Sequence, residues 1–273
     1  MSALARASVE RMARHGIRPN RELGQNFLVD DNILAVIGRT AELSEDDVVL
    51  EIGGGLGVLS EFLAPRVGHL HVIESDARLE PVLSEALEGT DANVVIDDVM
   101  DADLGSLDPE PGKVVANLPY GVAVPAILKT IDELAAATLW CVMVQREIAD
   151  RLAAQPGTKA YGIPSVLVQL ACRVEFVRAI SRNVFQPAPN VDSALIRLHR
   201  IGAAPSEAVR DLVHGAFAHR RKALAGSLEL SGGGRQTRAA ARAALEQIGH
   251  PADERAERLT PHEFVELAER LSP

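Results

Sequence analysis

The sequence predicts an α/β fold with a doubly wound sheet, followed by a small all-helical C-terminal domain. From residue 30 to about residue 200, short apolar runs alternate with helical patterns; beyond Pro205 only helical patterns remain. A chain of 273 residues has room for one large domain and a smaller one. We therefore predict an N-terminal arm (1–23), which is basic, an α/β domain (24–204) and a helical C-terminal domain (205–273).

Five apolar runs predict parallel strands that are buried on both faces. They occupy residues 48–50, 70–73, 94–96, 114–116 and 139–144. Between the second and third runs, apolar residues from Leu79 to Leu87 recur at helical spacing. Residues 173–180 and 191–200 predict two further strands that form an antiparallel hairpin at the sheet edge.

The C-terminal segment has the marks of helices only. An apolar stripe runs from Val209 to Phe217, and Thr260 with Glu263 forms a capping box in front of another helix, which has Pro261 in its first turn. Three glycines at 232–234 predict a flexible break between helices.

Composition limits the possible functions. Cys141 and Cys172 have no CxxC pairing, so we expect neither disulfides nor a cysteine-based zinc site, and a reducing cytoplasm fits. There is no apolar run near the ~20 residues of a membrane span, so we expect no membrane partner. The net charge of −10 argues against a nucleic-acid partner, but residues 140–273 carry 18 basic against 14 acidic residues. Local charge attracts a polyanion, and residues 220–222 form a basic cluster.

A glycine-rich turn follows the first predicted strand. Gly53, Gly55 and Gly57 are preceded by Glu51, and Val58 stands where a dinucleotide fingerprint needs a third glycine. Taken alone, the turn also fits an ordinary strand-to-helix connection. It resembles motif I of class I S-adenosylmethionine-dependent methyltransferases, so we expect a Rossmann-like sheet of that class.

Carboxylates follow the next two strands. Glu74 stands 21 residues after Gly53, where it can accept hydrogen bonds from ribose hydroxyls, and Asp98 can accept from an adenine amine. Each also fits a surface acid at a strand end. Ligands of open α/β sheets bind at the carboxyl ends of the strands, so together these features predict S-adenosylmethionine as the cofactor.

The most specific motif is Asn117-Leu118-Pro119-Tyr120, at the end of the fourth strand. It resembles the [ND]-x-P-[YF] motif of methyltransferases that act on exocyclic amines of planar rings. The lone pair of such an amine is delocalised into the ring. Hydrogen bonds from the amine to the Asn117 side-chain carbonyl and the Leu118 backbone carbonyl would free that lone pair. Tyr120 can stack on the base, and Phe185 is a candidate for its second face.

Together these segments resemble the ribosomal RNA adenine dimethyltransferase family. The resemblance implies that Asn26 and Leu28 help to hold the cofactor and that Asn117 touches both cofactor and target amine. It rests on residues 24–28, the Gly53 turn, Glu74, Asp98, 117–120, 145–147, 159–162, 185–193 and 220–222.

Within the family, NLPY and the basic segment before a sizeable helical domain resemble the small-subunit branch. That branch dimethylates two adjacent adenosines near the 3′ end of 16S rRNA during subunit maturation, with S-adenosylhomocysteine as the product. The resemblance implies RNA binding by Arg220, Arg221 and Lys222 and an immature small subunit as partner. In-line attack on a methyl carbon requires no metal, and His69 and His71 lack a matching set of partners, so we expect no metal site. We also expect a monomer. Gly54 replaces the family's common proline, and Gly121-Val122-Ala123 replaces Asn-Ile-Ser.

Other functions stay open at this point. The resistance-type enzyme that methylates one adenosine of 23S rRNA is the nearest alternative, although its motif more often has isoleucine at the position of Leu118. A non-catalytic assembly factor on the same fold is the second, and intact Asn117, Glu74 and Asp98 argue against it. A nicotinamide dehydrogenase is the most distant, because Val58 breaks its fingerprint.

Overall fold

The computed structural model describes residues 3–20 and 24–271, which form two compact units. Unit 1 comprises Met1–Ala149 and Glu175–Arg200, and Unit 2 comprises Asp150–Val174 and Ile201–Pro273. Residues 150–174 thus belong to the helical unit, whereas the sequence analysis assigned them to the α/β domain. Residues 1–2 and 21–23 of the predicted arm lie outside the described residues.

Nine strands occur in the described residues, and seven of them form one sheet. Their bounds are β1 (Phe27–Leu28), β2 (Val48–Ile52), β3 (His69–Glu74), β4 (Asn93–Ile96), β5 (Lys113–Asn117), β6 (Leu139–Gln145), β7 (Cys172–Ile180), β8 (Phe185–Gln186) and β9 (Ser193–Arg200). The order in the sheet is β4-β3-β2-β5-β6-β9-β7. The strands from β4 to β6 are parallel, and β9 runs antiparallel to β6 with Gln145 opposite Ser193.

The predicted sheet is confirmed. All five apolar runs lie in strands β2 to β6, and the two additional strands lie side by side at the sheet edge as β9 and β7. Long apolar runs suit these strands because both sheet faces are covered: every residue from Leu139 to Val144 is buried. The short antiparallel pair β1–β8 was not predicted. Two residues per strand are too few to show a period in the sequence.

Most strands of Unit 1 are preceded or followed by a helix along the chain. The helices are α1 (Ala3–Arg14), α2 (Asp31–Thr40), α3 (Val58–Leu63), α4 (Glu80–Ala86), α5 (Ala123–Glu133) and α6 (Arg146–Leu152), the last of which leads into Unit 2. Helix α2 begins where the Asp30 side chain accepts hydrogen bonds from the backbone N–H groups of Asn32 and Ile33. The predicted apolar stripe is confirmed, since Leu79, just before α4, and Val82 and Leu83 within it are fully buried.

The strand order reverses direction at β2. From β2 the chain continues to β3 and β4 on one side, then crosses back to β5 on the other side of β2. The connection after β2 and the connection after β5 therefore lead away from each other and leave a crevice at the carboxyl ends of these two strands. Open α/β sheets bind ligands at such a crevice. Gly53 and Leu118 are the first residues beyond these two strand ends.

Unit 2 is helical, as predicted. Its helices are α7 (Ile163–Ala171), α8 (Glu207–Ala218), α9 (Leu224–Leu228), α10 (Gly234–Gln247) and α11 (Pro261–Leu271). The capping box is confirmed: the Thr260 N–H donates to Glu263 at 2.7 Å, and the Glu263 N–H donates to the Thr260 hydroxyl at 3.3 Å. Gly232, with φ 109°, interrupts the helical backbone between α9 and α10. None of the described helices is long and apolar enough to cross a membrane.

The N-terminal helix α1 is tied to Unit 1 by a buried arginine. Arg11 donates to the Leu56 carbonyl at 3.1 Å and to the Glu61 carboxylate at 2.8 Å, and its side chain is only 6% exposed. Arg14 pairs with Glu85 but stays 60% exposed. Leu56 belongs to the glycine-rich turn, and Glu61 belongs to α3. Arg11 therefore connects the N-terminal helix to the turn that follows β2.

We expect Arg11→Ala to lower the free energy of unfolding by about 2 kcal/mol, because it removes charge-assisted hydrogen bonds and leaves Glu61 without its partner. Arg14→Ala is the matched control, and because it removes an exposed pair it should cost less than about 1 kcal/mol. Urea unfolding at constant m-value measures both. Equal losses of unfolding free energy in the two variants would show that the buried Arg11 contacts stabilise the protein no more than the exposed Arg14 pair does.

Candidate active site

The turn after β2 has a backbone that favours glycine. Gly53 and Gly55 have φ of 82° and 58°, in the left-handed region. Gly57 is left-handed too, with φ of 79°, and it also serves packing: a Cβ there would lie 2.4 Å from the Ala86 Cβ, so glycine lets α3 approach α4. A side chain at Gly54 would meet Val72 at 2.5 Å, which gives a physical reason for glycine where the resembling family commonly has proline.

A cavity of about 290 Å³ opens at the carboxyl ends of the strands in Unit 1. It is close to the lower end of the range for small-molecule sites. The structure brings most of the predicted site residues together here: Asn26, Gly53, Gly55, Glu74, Asp98, Asn117, Leu118 and Tyr120. Residues that the sequence analysis did not assign to the site also line the cavity, among them Gln25, Phe27, Ser75, Val99 and Val122.

Glu74 lies at the end of β3 and is 6% exposed. Its carboxylate accepts hydrogen bonds from the Gly55 N–H at 2.9 Å and from the Asp76 N–H at 2.8 Å. Burial raises the pKa of Glu74, and the two backbone donors oppose that shift. Since each carboxylate oxygen has a second lone pair, the group can hold the turn and still accept from a ligand hydroxyl.

Asp76 holds the N-terminal wall of the cavity. Its carboxylate accepts from the guanidinium of Arg78 and from the Gln25 amide at 2.8 Å, and these hydrogen bonds, with that of Arg78 the stronger cause, lower the pKa of Asp76 to about 2. Sequence reasoning missed both Asp76 and Gln25. Asp76 stands two residues beyond Glu74, but nothing in the sequence indicated that Gln25 would lie within reach of it.

Asn117 lies at the end of β5 and is oriented by the backbone of another segment. Its side-chain N–H donates to the Asn26 carbonyl at 3.1 Å. This hydrogen bond assigns the amide nitrogen to Asn26 and leaves the amide oxygen as the acceptor that can face the cavity. The Leu118 N–H donates to the Met143 carbonyl at 3.1 Å, which fixes the backbone of the motif against β6.

Tyr120 combines a ring at the cavity with an anchored hydroxyl. The hydroxyl lies 3.0 Å from the Ser193 hydroxyl, at the start of β9. Burial is the main cause that raises the pKa of the Tyr120 phenol, so the phenol stays neutral near pH 7. The ring is therefore held in place by a hydrogen bond at its far end.

Asp98 also lines the cavity, in an exposed position after β4. Its side chain accepts from the Met100 N–H at 2.9 Å, and its own N–H donates to the Asp97 carboxylate at 2.8 Å. The carboxylate is thus fixed by the turn that contains it.

Three predicted site residues do not line the cavity. Gly57 lies behind the turn, while Leu28 and Phe185 face each other across the β1–β8 pair and are each 4% exposed. Phe27 borders the cavity instead, and its ring is what a Cβ at Gly55 would meet at 3.1 Å. The structure places the Phe185 ring in the core, and its stacking on a target base stays a prediction.

The predicted RNA-binding cluster lies in Unit 2. Arg220 donates to the Glu257 carboxylate at 3.2 Å and to the Lys159 carbonyl at 2.7 Å, so it is engaged within the unit. Arg221 and Lys222 are exposed. Among the described residues, no cluster of histidine, cysteine and carboxylate side chains is arranged to hold a metal.

Glu51 is a fully buried carboxyl group beneath the turn. Within the described chain neither of its oxygens has a hydrogen-bond partner. Burial raises the pKa of Glu51 to about 8; the neighbouring Ser60 hydroxyl opposes this shift, and the nearby charge of Glu74 adds to it. The group is therefore neutral at pH 7 in the folded protein.

The fold and the cavity together define a class I S-adenosylmethionine-dependent methyltransferase. A family model described as ribosomal RNA adenine dimethylase matches residues 16–272. The chain therefore belongs to the ribosomal RNA adenine dimethylase family.

Individual relatives agree with this family. The chain is 42% identical to ribosomal RNA small subunit methyltransferase A of Rubrobacter xylanophilus, over 94% of this chain and 96% of the relative. It is 43% identical to the protein of the same name from Thermobifida fusca, over 97% and 95%. Among solved structures, the 23S rRNA methyltransferase ErmE matches with a TM-score of 0.67 and 30% identity, over 90% of this chain and 99% of that one. A dimethyladenosine transferase from Plasmodium falciparum matches the fold with a TM-score of 0.75 and 24% identity, over 88% and 95%.

The buried carboxyl of Glu51 predicts a pH dependence of stability. A carboxyl whose folded pKa exceeds its unfolded pKa stabilises the protein fully below about pH 4.5, and this contribution is lost as the pH rises through about 8. We expect Glu51→Gln to remove the loss, so that the variant gains on the order of a few kcal/mol relative to wild type between pH 5 and pH 9. Thermal unfolding across this pH range measures the difference. The exposed Glu88→Gln is the control, and a wild type that parallels Glu51→Gln would contradict the assignment.

Proposed function

We propose that this protein transfers methyl groups from S-adenosylmethionine to the N6 amine of two adjacent adenosines near the 3′ end of 16S rRNA. The observation that carries the proposal is the position of the Asn117–Tyr120 motif beside the glycine-rich turn, at one cavity. The names of the relatives above support the small subunit as the source of the RNA. We further propose an immature small subunit as the substrate particle, a monomeric enzyme and a cytoplasmic location.

The residues at the cavity fit the cofactor. Glu74 and Asp98 offer acceptors at two successive strand ends, and Gly53 and Gly55 allow a ligand to approach the backbone closely. When bound, S-adenosylmethionine supplies a methyl carbon attached to a positively charged sulfur. Carboxylates at this edge complement a cationic ligand electrostatically, and we assign Asn26 and Asn117 to the same binding region.

Asn117 and Leu118 would act on the adenine amine. The Asn117 side-chain oxygen and the Leu118 backbone oxygen are acceptors for its two N–H groups, and accepting both favours a pyramidal nitrogen with an available lone pair. Since the Asn26 carbonyl fixes the Asn117 amide, no reorientation is needed when the base arrives. Catalysis then consists mainly of positioning for in-line attack.

A base must leave its stack before it can enter such a pocket, and stacking on an aromatic ring offsets the cost. Tyr120 is the aromatic residue of the motif, and its hydroxyl contact with Ser193 limits how the ring can turn. On Unit 2, the exposed Arg221 and Lys222 would contact RNA phosphates, while Arg220 would support the segment that carries them.

Asn117→Ala should lower the rate of dimethyladenosine formation by at least about 10²-fold, the effect of removing a preorganised polar group at a reacting centre. Labelled S-adenosylmethionine is incubated with undermethylated small subunits, and digested RNA is assayed for dimethyladenosine. Asn183→Ala, an exposed asparagine of Unit 1 that does not line the cavity, should keep the wild-type rate.

Large subunits serve as the second substrate in the same assay. Label in the large subunit alone would move the protein to the 23S enzymes, the type to which ErmE belongs by its name. No label in either subunit, with cofactor binding intact, would favour a non-catalytic assembly factor and overturn the proposal.

Tyr120→Ala should raise the KM for the RNA substrate roughly 5- to 150-fold, since base–aromatic stacking contributes about 1–3 kcal/mol. Tyr120→Phe keeps the ring and loses only the contact with Ser193, so its KM should stay within a few-fold of wild type. Steady-state kinetics on small subunits measure both. Equal defects in the two variants would show that the hydroxyl, not the ring, carries the role.

A further inference from the structure

Helix α10 in Unit 2 has arginines on one flank. Ala241, Ala244 and Leu245 are buried and define the face that packs into the unit. Arg235, Arg238 and Arg242 are exposed, and their spacing of three and four residues places them on one side of the helix. The remaining exposed positions of α10 are almost all uncharged, with Glu246 as its one carboxylate.

A groove of about 340 Å³ runs beside this flank, also within Unit 2. Lys222, Arg238 and Arg242 line it, together with Glu229 and the 58% exposed Leu230. Arg238 pairs with Glu229 at 3.0 Å, which neutralises the groove's single carboxylate. Two positive charges of the lining remain uncompensated.

Residues 219–247, which run from the basic cluster at 220–222 to the end of α10, are basic in a protein that is acidic as a whole. Residues 219–247 contain six arginines and lysines against two glutamates, while the whole chain has a net charge of −10. Within the described part of the chain, Arg221, Lys222, Arg235 and Arg242 form no ion pair with a carboxylate. Unpaired exposed cations that lie close together repel one another. An anionic partner relieves this repulsion, so the cluster favours binding of an anion.

We propose that this groove and the α10 flank bind the RNA sugar–phosphate backbone, with Lys222, Arg235, Arg238 and Arg242 on successive phosphates. The inference rests on the proposed function, and it adds α10 to the basic segment already assigned to RNA. Arg235 and Arg242 are seven residues apart, about 10 Å along a helix. That length spans two to three phosphates of one strand. Each guanidinium group can donate two parallel hydrogen bonds to the oxygens of one phosphate. Leu230 would lie against a ribose or a base edge.

Salt dependence of binding tests the proposal, because each lost phosphate contact lowers the slope of log K against log salt by about 0.7 to 0.9. The full-length protein is titrated with protein-free 16S rRNA transcript and with undermethylated small subunits, from about 50 to about 200 mM salt. The triple variant Arg235→Gln, Arg238→Gln, Arg242→Gln should lower the slope by about 2 to 3 and weaken binding at least 10-fold. Glutamine keeps the helix propensity of α10.

The matched control removes three other arginines of Unit 2, with Arg255→Gln, Arg258→Gln and Arg270→Gln. None of the three lines the groove, yet the net charge changes equally. Arg242→Gln alone removes no ion pair of the described residues and should lower the slope by about 1. This single variant tests the same prediction if the triple variant does not fold.

The outcomes separate this inference from the proposed function. If wild type makes no dimethyladenosine, the proposed function fails whatever the groove does. If wild type is active but the groove triple variant and the control triple variant bind RNA with equal slopes, the groove assignment is wrong. If the groove variant loses affinity for subunits but not for naked RNA, its partner is a ribosomal protein, and the RNA assignment is overturned.

Discussion

The hydrogen bonds that Glu74 accepts are the interaction on which the cavity depends. Its carboxylate holds the Gly55 N–H of one connection and the Asp76 N–H of another. Without it, the turn after β2 and the turn after β3 would have no common anchor, and buried N–H groups would lose their partner. Asp76 extends the network to Gln25, so a single set of carboxylates positions both the floor and the N-terminal wall.

This network explains how segments far apart in the chain form one site. The parallel strands β2, β3 and β5 end at the same edge, and the reversal of strand order separates their connections enough to leave a cavity. The segment before β1 then closes one side, where Asn26 fixes Asn117 across 91 positions of sequence. The β1–β8 pair holds that segment by backbone hydrogen bonds, which gives the buried Leu28 and Phe185 a structural role.

How far the sequence predicts this molecule depends on whether the signal is local. Strands such as Leu139 to Val144 carry an apolar pattern of their own, and the Thr260–Glu263 box lies within four residues, so both were predictable. Glu74 and Asn117 were placed at the cavity because strand ends meet at one edge. Gln25 and Asp76 were missed because their contact depends on tertiary packing. Phe27 borders the cavity and Phe185 does not. This was not predictable, because strands of two residues leave no periodic signal in the sequence.

The charge distribution constrains how such a protein can handle RNA. Residues 1–139 carry 24 acidic against 10 basic side chains, which suits a cationic cofactor at the cavity and repels a polyanion. General electrostatic attraction therefore cannot supply the affinity for RNA, and only surfaces where the local field reverses can. Arg220 is engaged with Glu257 and the Lys159 carbonyl, so the basic segment offers fewer free cations than its sequence suggests. The exposed arginines of α10 make up this deficit, and because they are few, binding should depend strongly on each of them and on salt.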